Sequence, residues 1–125
     1  YGMNVLDESH DFPTMADGPD AIWMSQFLDC FSLEQIVSIL RRAKKAMKPN
    51  TRIYIMETLW NRQKYEPATL CLTLTTLYFT ALANGNSKMY NTEDMEQCIN
   101  EAGLEIEQIH DHLGQGHSIL VVKKG

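Results

Sequence analysis

The sequence predicts an α/β fold: the C-terminal portion of a Rossmann-like sheet, ending in an antiparallel strand pair, with the front half absent. Three observations predict it. Two short apolar runs, Asp20–Ser25 and Arg52–Glu57, flank an amphipathic helical pattern. Two further apolar runs, Ile106–Ile109 and Ser118–Val122, are joined through Leu113-Gly-Gln-Gly116, a link short enough to make them antiparallel neighbours. No glycine-rich strand-to-helix turn and no acid ending a second strand precedes the first run, so the parts that hold a phosphate or ribose are missing.

Each element follows from local signals. Gly18-Pro19 bounds the first run, which reads as a buried strand. Ser32-Leu-Glu-Gln35 is a capping box. Leu33, Ile36, Val37, Leu40, Ala43 and Met47 then recur at helical spacing until Lys48-Pro49-Asn50. Arg52–Glu57 is the second buried strand. Pro67 leads into an apolar helix from Ala68 to Ala83, which Asn84-Gly85-Asn86 stops. Asn91 or Thr92 caps a helix that buries Met95, Cys98, Ile99 and Ala102 and ends at Gly103. The first two strands are apolar on both faces, as interior parallel strands are. Residues 1–125 therefore form one partial domain.

Composition narrows the function. Net charge is −5, which disfavours nucleic acid and anionic membranes as partners. Arg41, Arg42, Lys44, Lys45 and Lys48 make the one cationic cluster, and a helix's solvated face and C-terminal end account for it. No apolar run is long enough to span a membrane and no signal peptide is present. Three scattered cysteines, Cys30, Cys71 and Cys98, make no zinc spacing or disulfide framework, which points to a reducing cytoplasm. His110, His112 and His117 lie on or beside the last strands, where solvated histidines are common, so no metal is expected.

The stretch Pro19-Asp-Ala-Ile-Trp-Met-Ser-Gln-Phe-Leu-Asp-Cys-Phe-Ser-Leu-Glu34 resembles the fourth-strand segment of class I S-adenosylmethionine-dependent O-methyltransferases of the caffeic-acid, hydroxyindole and bacterial polyketide type. The similarity continues through Ala46-Met-Lys-Pro-Asn50, Arg52–Glu57, Asn84-Gly-Asn-Ser-Lys88, Ala102-Gly103 and the final strand pair, in order and with matching gaps. The resemblance implies S-adenosylmethionine as cofactor and a small, aromatic molecule bearing a hydroxyl as methyl acceptor. It places cofactor contacts at Asn4, Val5 and Ser25, and acceptor contacts at Thr80 and Asn84. It places the family's catalytic histidine at Asp29 and its first supporting glutamate at Glu57; a second glutamate falls at Met89 and is lost.

The residue types fit that chemistry unevenly. Methyl transfer from a sulfonium needs an aimed, deprotonated hydroxyl. A carboxylate at Asp29 is a weaker base than histidine unless burial raises its pKa. Glu57 would hold or polarise the acceptor, or orient Asp29. Trp60, just beyond, suits stacking on a flat acceptor, while Trp23 reads as core or pocket wall. The alternative reading is a catalytically silent relative that binds or scaffolds. A different α/β enzyme would need a phosphate-binding loop. The strand Asp20–Ser25, lacking its usual neighbour and carrying no charge at Ile22, Trp23 or Met24, and the apolar helix after Pro67 also predict a homo-oligomer.

Overall fold

A computed structural model describes residues 2–14, 16–82 and 85–125. In chain order the elements are β1 (Ala21–Ser25), α1 (Leu33–Ala46), β2 (Arg52–Glu57), α2 (Glu66–Leu82), α3 (Thr92–Glu101), β3 (Leu104–Leu113) and β4 (His117–Lys124). Short 3₁₀ turns, Leu28–Cys30 and Trp60–Arg62, follow β1 and β2.

The four strands form one sheet in the order β1-β2-β4-β3. β1 runs parallel to β2, with Met24 beside Ile55. β4 is antiparallel to both β2 and β3. The crossover through α1 explains the parallel pair, and the Gly114–Gly116 turn explains the antiparallel one.

Alternation along the strands decides which sheet face is covered. Ile53, Ile55 and Glu57 of β2 point to one face with Met24, Leu120 and Val122, and all are buried. Ile36, Leu40 and Ala43 of α1 and Met95 and Ile99 of α3 pack into the same core. Complete burial of each such aliphatic side chain contributes about 1.5–3 kcal/mol. The caps are those the sequence specifies. Ser32 accepts from the Gln35 amide while Gln35 accepts from the Ser32 amide. Asn91 accepts from the Asp94 amide at 2.6 Å. Gly103, at φ +75°, follows α3 in the left-handed conformation that helix exits favour.

Four expectations change. Trp23 is 57% exposed, not core. It sits with Tyr54 on the opposite sheet face, and β1 is the edge strand of the described sheet. Arg42 is 5% exposed, not on a solvated face. Its guanidinium collects the carbonyls of Val5, Asp7 and His10 and lies 4.9 Å from the Phe12 ring, so it staples the N-terminal segment onto α1. The Lys45–Asp11 ion pair and the Ser38–Glu8 hydrogen bond reinforce that staple. The strand pair is longer than its apolar runs, because β3 continues through a register shift to Leu113. Finally, α2 begins at Glu66, with Pro67 in its first turn, where a missing N–H costs nothing.

Candidate active site

In an open α/β sheet, ligands bind beyond the C-terminal ends of the parallel strands. Here those ends are Ser25 and Glu57. The chain leaves β1 through Gln26, whose φ of 44° is unusual for a residue with a side chain. The Gln26 amide donates to the Met56 carbonyl at 2.8 Å, and its side-chain amide donates to the His117 ring. This anchors the strand end to the start of β4.

The turn that follows is built on Glu57. Glu57 Oε1 accepts the amides of Phe27 at 3.0 Å and Leu28 at 2.8 Å. Its other oxygen has no partner among the described residues, and the side chain is 2% exposed. Burial first, and the charge of Asp29 second, push the Glu57 pKa up to about 7 against the pull of the turn amides. A carboxyl so placed holds a proton near neutrality.

Asp29 lies in the middle of that turn, half-buried. Its carbonyl accepts the Lys88 amide at 3.0 Å, and its carboxylate lies 3.5 Å from the Cys30 thiol. Burial, with the Asp29 charge added, pushes that thiol's pKa up. The segment Lys88–Tyr90 acts as a strap. Besides the Lys88 contact, Met89 N donates to Thr76 Oγ1 at 3.0 Å. The Tyr90 hydroxyl donates to the Phe31 carbonyl at 2.6 Å, and the Tyr90 carbonyl accepts the Trp60 amide at 3.2 Å. Both strand-end turns and α2 are thus tied to one short stretch. Burial pushes the Tyr90 phenol up to about 12, so it stays a donor. The second turn has its own clamp: the Arg62 guanidinium is bidentate to Asp111, which also accepts from Ser118 at 2.8 Å.

The structure brings Asp29 and Glu57 together, in a way that has Glu57 supporting the turn that presents Asp29. Trp60 belongs to the neighbouring turn and is 36% exposed. Ser25 stands at the strand end, but in register with Met56 and so on the opposite sheet face from Glu57. Asn4 and Val5 are not brought to the cluster. Asn4 Oδ1 accepts the Leu6 amide in a local turn, and the Val5 carbonyl is taken by Arg42 on α1. Thr80 is exposed on α2, one turn beyond Thr76. Asn84 lies outside the described residues. Sequence reasoning missed Gln26, His117 and Tyr90; only the positive φ at Gln26 marks a special position, and no sequence signal reports it.

A cavity of about 450 Å³ opens on the strap, past Ser32, Lys88 and Tyr90, and two others lie farther off. One of about 300 Å³ runs between α1 and α3 past Val37, Arg41 and Cys98. Another of about 440 Å³ lies beside the β3–β4 turn past Gln63, Tyr65 and His112. Neither is lined by Ser25, Asp29, Glu57 or Trp60.

No protein-family model matches the chain, and no curated protein matches it in sequence. Solved structures do match. TnmH superposes with a TM-score of 0.81 at 23% identity over 100% of this chain and 34% of its own. The mitomycin 7-O-methyltransferase MmcR superposes with a TM-score of 0.73 at 22% identity, covering 90% of this chain and 31% of its own. The chain has the fold of the C-terminal portion of an O-methyltransferase. LepI, solved in complex with S-adenosylmethionine, gives a TM-score of 0.76 at 18% identity over 95% of this chain and 29% of LepI. The chain therefore spans about a third of the length of the structures it matches. Among the described residues no helix is long and apolar enough to cross a membrane.

Proposed function

We propose that this chain is the acceptor-side portion of an S-adenosylmethionine-dependent O-methyltransferase. Within the longer protein it serves methyl transfer to a hydroxyl of a small aromatic molecule, and alone it is inactive. The observation that carries the reading is the Glu57-supported turn, which presents Asp29 at the C-terminal end of β1, on a sheet that superposes on solved O-methyltransferases.

The cofactor supplies an electrophilic methyl group on a sulfonium. Of the residues expected to touch it, Ser25 fits, being polar and half-buried at the strand end. Asn4 closes a local turn with the Leu6 amide, and the Val5 backbone carbonyl accepts from Arg42 on α1, which leaves the Val5 side chain free to touch a ligand. Asp29 takes the proton of the acceptor hydroxyl and aims the oxygen. Glu57 fixes the turn through two amides, and its proton spares Asp29 a second negative charge nearby. Trp60 offers an exposed flat ring beside the same strand ends.

The fold of a similar structure described as a pericyclic reaction enzyme, matching with a TM-score of 0.76, supports a second reading. In it the parent keeps the cofactor site but transfers no methyl group, in line with an aspartate where the family has histidine. Incubating the full-length protein with S-adenosylmethionine and a panel of phenols separates the two. Methylated phenol supports the first reading. Cofactor binding without S-adenosylhomocysteine formation supports the second.

A further inference from the structure

Residues 2–14 contain no helix or strand, so their carbonyls have no backbone ladder to enter. Three of them, those of Val5, Asp7 and His10, accept from the guanidinium of Arg42 on α1. The Phe12 ring lies 4.9 Å from the same guanidinium, within reach of a cation–π contact. Arg42 is buried, and its Nε has no partner among the described residues. Its hydrogen bonds go to carbonyls, not to a carboxylate. A charge buried in this way is costly once those carbonyls leave, so α1 and the segment hold each other in place. Within the segment, Asn4 to Asp7 is a closed turn. Asn4 Oδ1 accepts the Leu6 amide at 3.1 Å, and the Asn4 carbonyl accepts the Asp7 amide at 3.1 Å. Arg42 grips this turn by the carbonyls of Val5 and Asp7, while a cavity of about 270 Å³ opens beside it, past Met3, Asn4 and His10.

We propose that Arg42 is a positioning residue for the cofactor: it sets the Asn4–Asp7 turn and, through that turn, the affinity for S-adenosylmethionine. The inference rests on the methyltransferase reading above, which gives Asn4 and Val5 to the cofactor. Arg42 acts on the backbone of the turn and leaves the Asn4 and Val5 side chains to the ligand. A turn fixed before binding costs less to order on binding, and that saving appears as affinity. The effect is confined to the cofactor side. The turn that presents Asp29 is held by Glu57 and by the Lys88 amide, and Arg42 takes no part in it. Lysine cannot replace the arginine, because one ammonium on a flexible stem lacks the planar fork that collects three carbonyls at once.

The test uses the full-length protein and three readouts: S-adenosylmethionine affinity by calorimetry, hydrogen exchange at the Leu6 and Asp7 amides without cofactor, and phenol KM and kcat at saturating cofactor. Arg42→Lys is expected to weaken cofactor binding by about tenfold or more and to speed exchange at both amides. Phenol KM and kcat at saturating cofactor should stay within about twofold, a split that general loss of packing would not produce. Phe12→Leu keeps the arginine and removes only its ring contact. It should weaken binding by about threefold, and it decides the matter if Arg42→Lys does not fold. Lys45→Ala removes an exposed ion pair to the same segment and should change affinity by less than about twofold. Cofactor affinity and exchange equal to wild type in the folded variants overturn the proposal. So does a loss that falls equally on kcat at saturating cofactor. A wild type that binds no S-adenosylmethionine overturns the methyltransferase reading itself, a result distinct from a wild type that binds and variants that match it.

Discussion

At the scale of single residues, Glu57 has a pH signature. Its pKa is about 7 in the fold against an ordinary 4.5. A raised carboxyl stabilises the folded state fully below the unfolded pKa, and that stability is lost as pH rises through the folded one. Global stability should therefore fall between about pH 4.5 and pH 7, by on the order of 3 kcal/mol from this group. Glu57→Gln keeps an acceptor for the Phe27 and Leu28 amides and removes the titration. Urea midpoints across that range should drop for the wild type and be flatter for Glu57→Gln; parallel profiles would show that Glu57 is not the titrating group. Neither the burial of Glu57 nor its bond to a turn thirty residues upstream is legible in Arg52–Glu57. An acid closing an apolar strand does show that the position is special, because carboxylates are rarely fully buried without a partner.

At the scale of elements, local chemistry was enough wherever an element is specified by its own residues. The capping box at Ser32, the Asn91 cap and the exit at Gly103 are all where the sequence puts them. Ser32→Ala should cost about 1 kcal/mol, read as a lowered thermal midpoint with α1 otherwise intact; no change would mean that the Gln35 amide finds another acceptor. Legibility ends where a residue's partner is distant. Arg42 sits in a cationic cluster that looks solvated, and only the folding of residues 5–12 onto α1 buries it. Trp23 sits in an apolar strand that looks buried, and its place on the edge strand of the described sheet, on the face opposite Met24, exposes it. The Tyr90 strap is invisible for the same reason: its contacts at Phe31 and Trp60 lie thirty or more residues away.

At the scale of the whole molecule, the strands and the antiparallel close were legible from lengths and patterns, whereas the insertion of β4 between β2 and β3 was not. The site was legible only in part. Asp29 and Glu57 share one turn, whereas Arg42 ties the Val5 carbonyl to α1 and Asn4 closes a local turn with Leu6. The isolated chain should accordingly show no S-adenosylmethionine binding by calorimetry at micromolar concentration, since no described cavity gathers the cofactor residues; clear micromolar affinity would place a cofactor site where the geometry offers none. Whether Asp29 is the hydroxyl's proton acceptor is best decided by kinetics on the full-length protein. Turnover with a phenol acceptor and S-adenosylmethionine affinity should be measured together for the wild type and Asp29→Asn. Loss of general-base help should lower kcat by about a hundredfold or more, with cofactor affinity unchanged within about threefold, about 0.6 kcal/mol. Equal turnover in the two proteins would contradict the role assigned to Asp29 and to the turn that Glu57 holds.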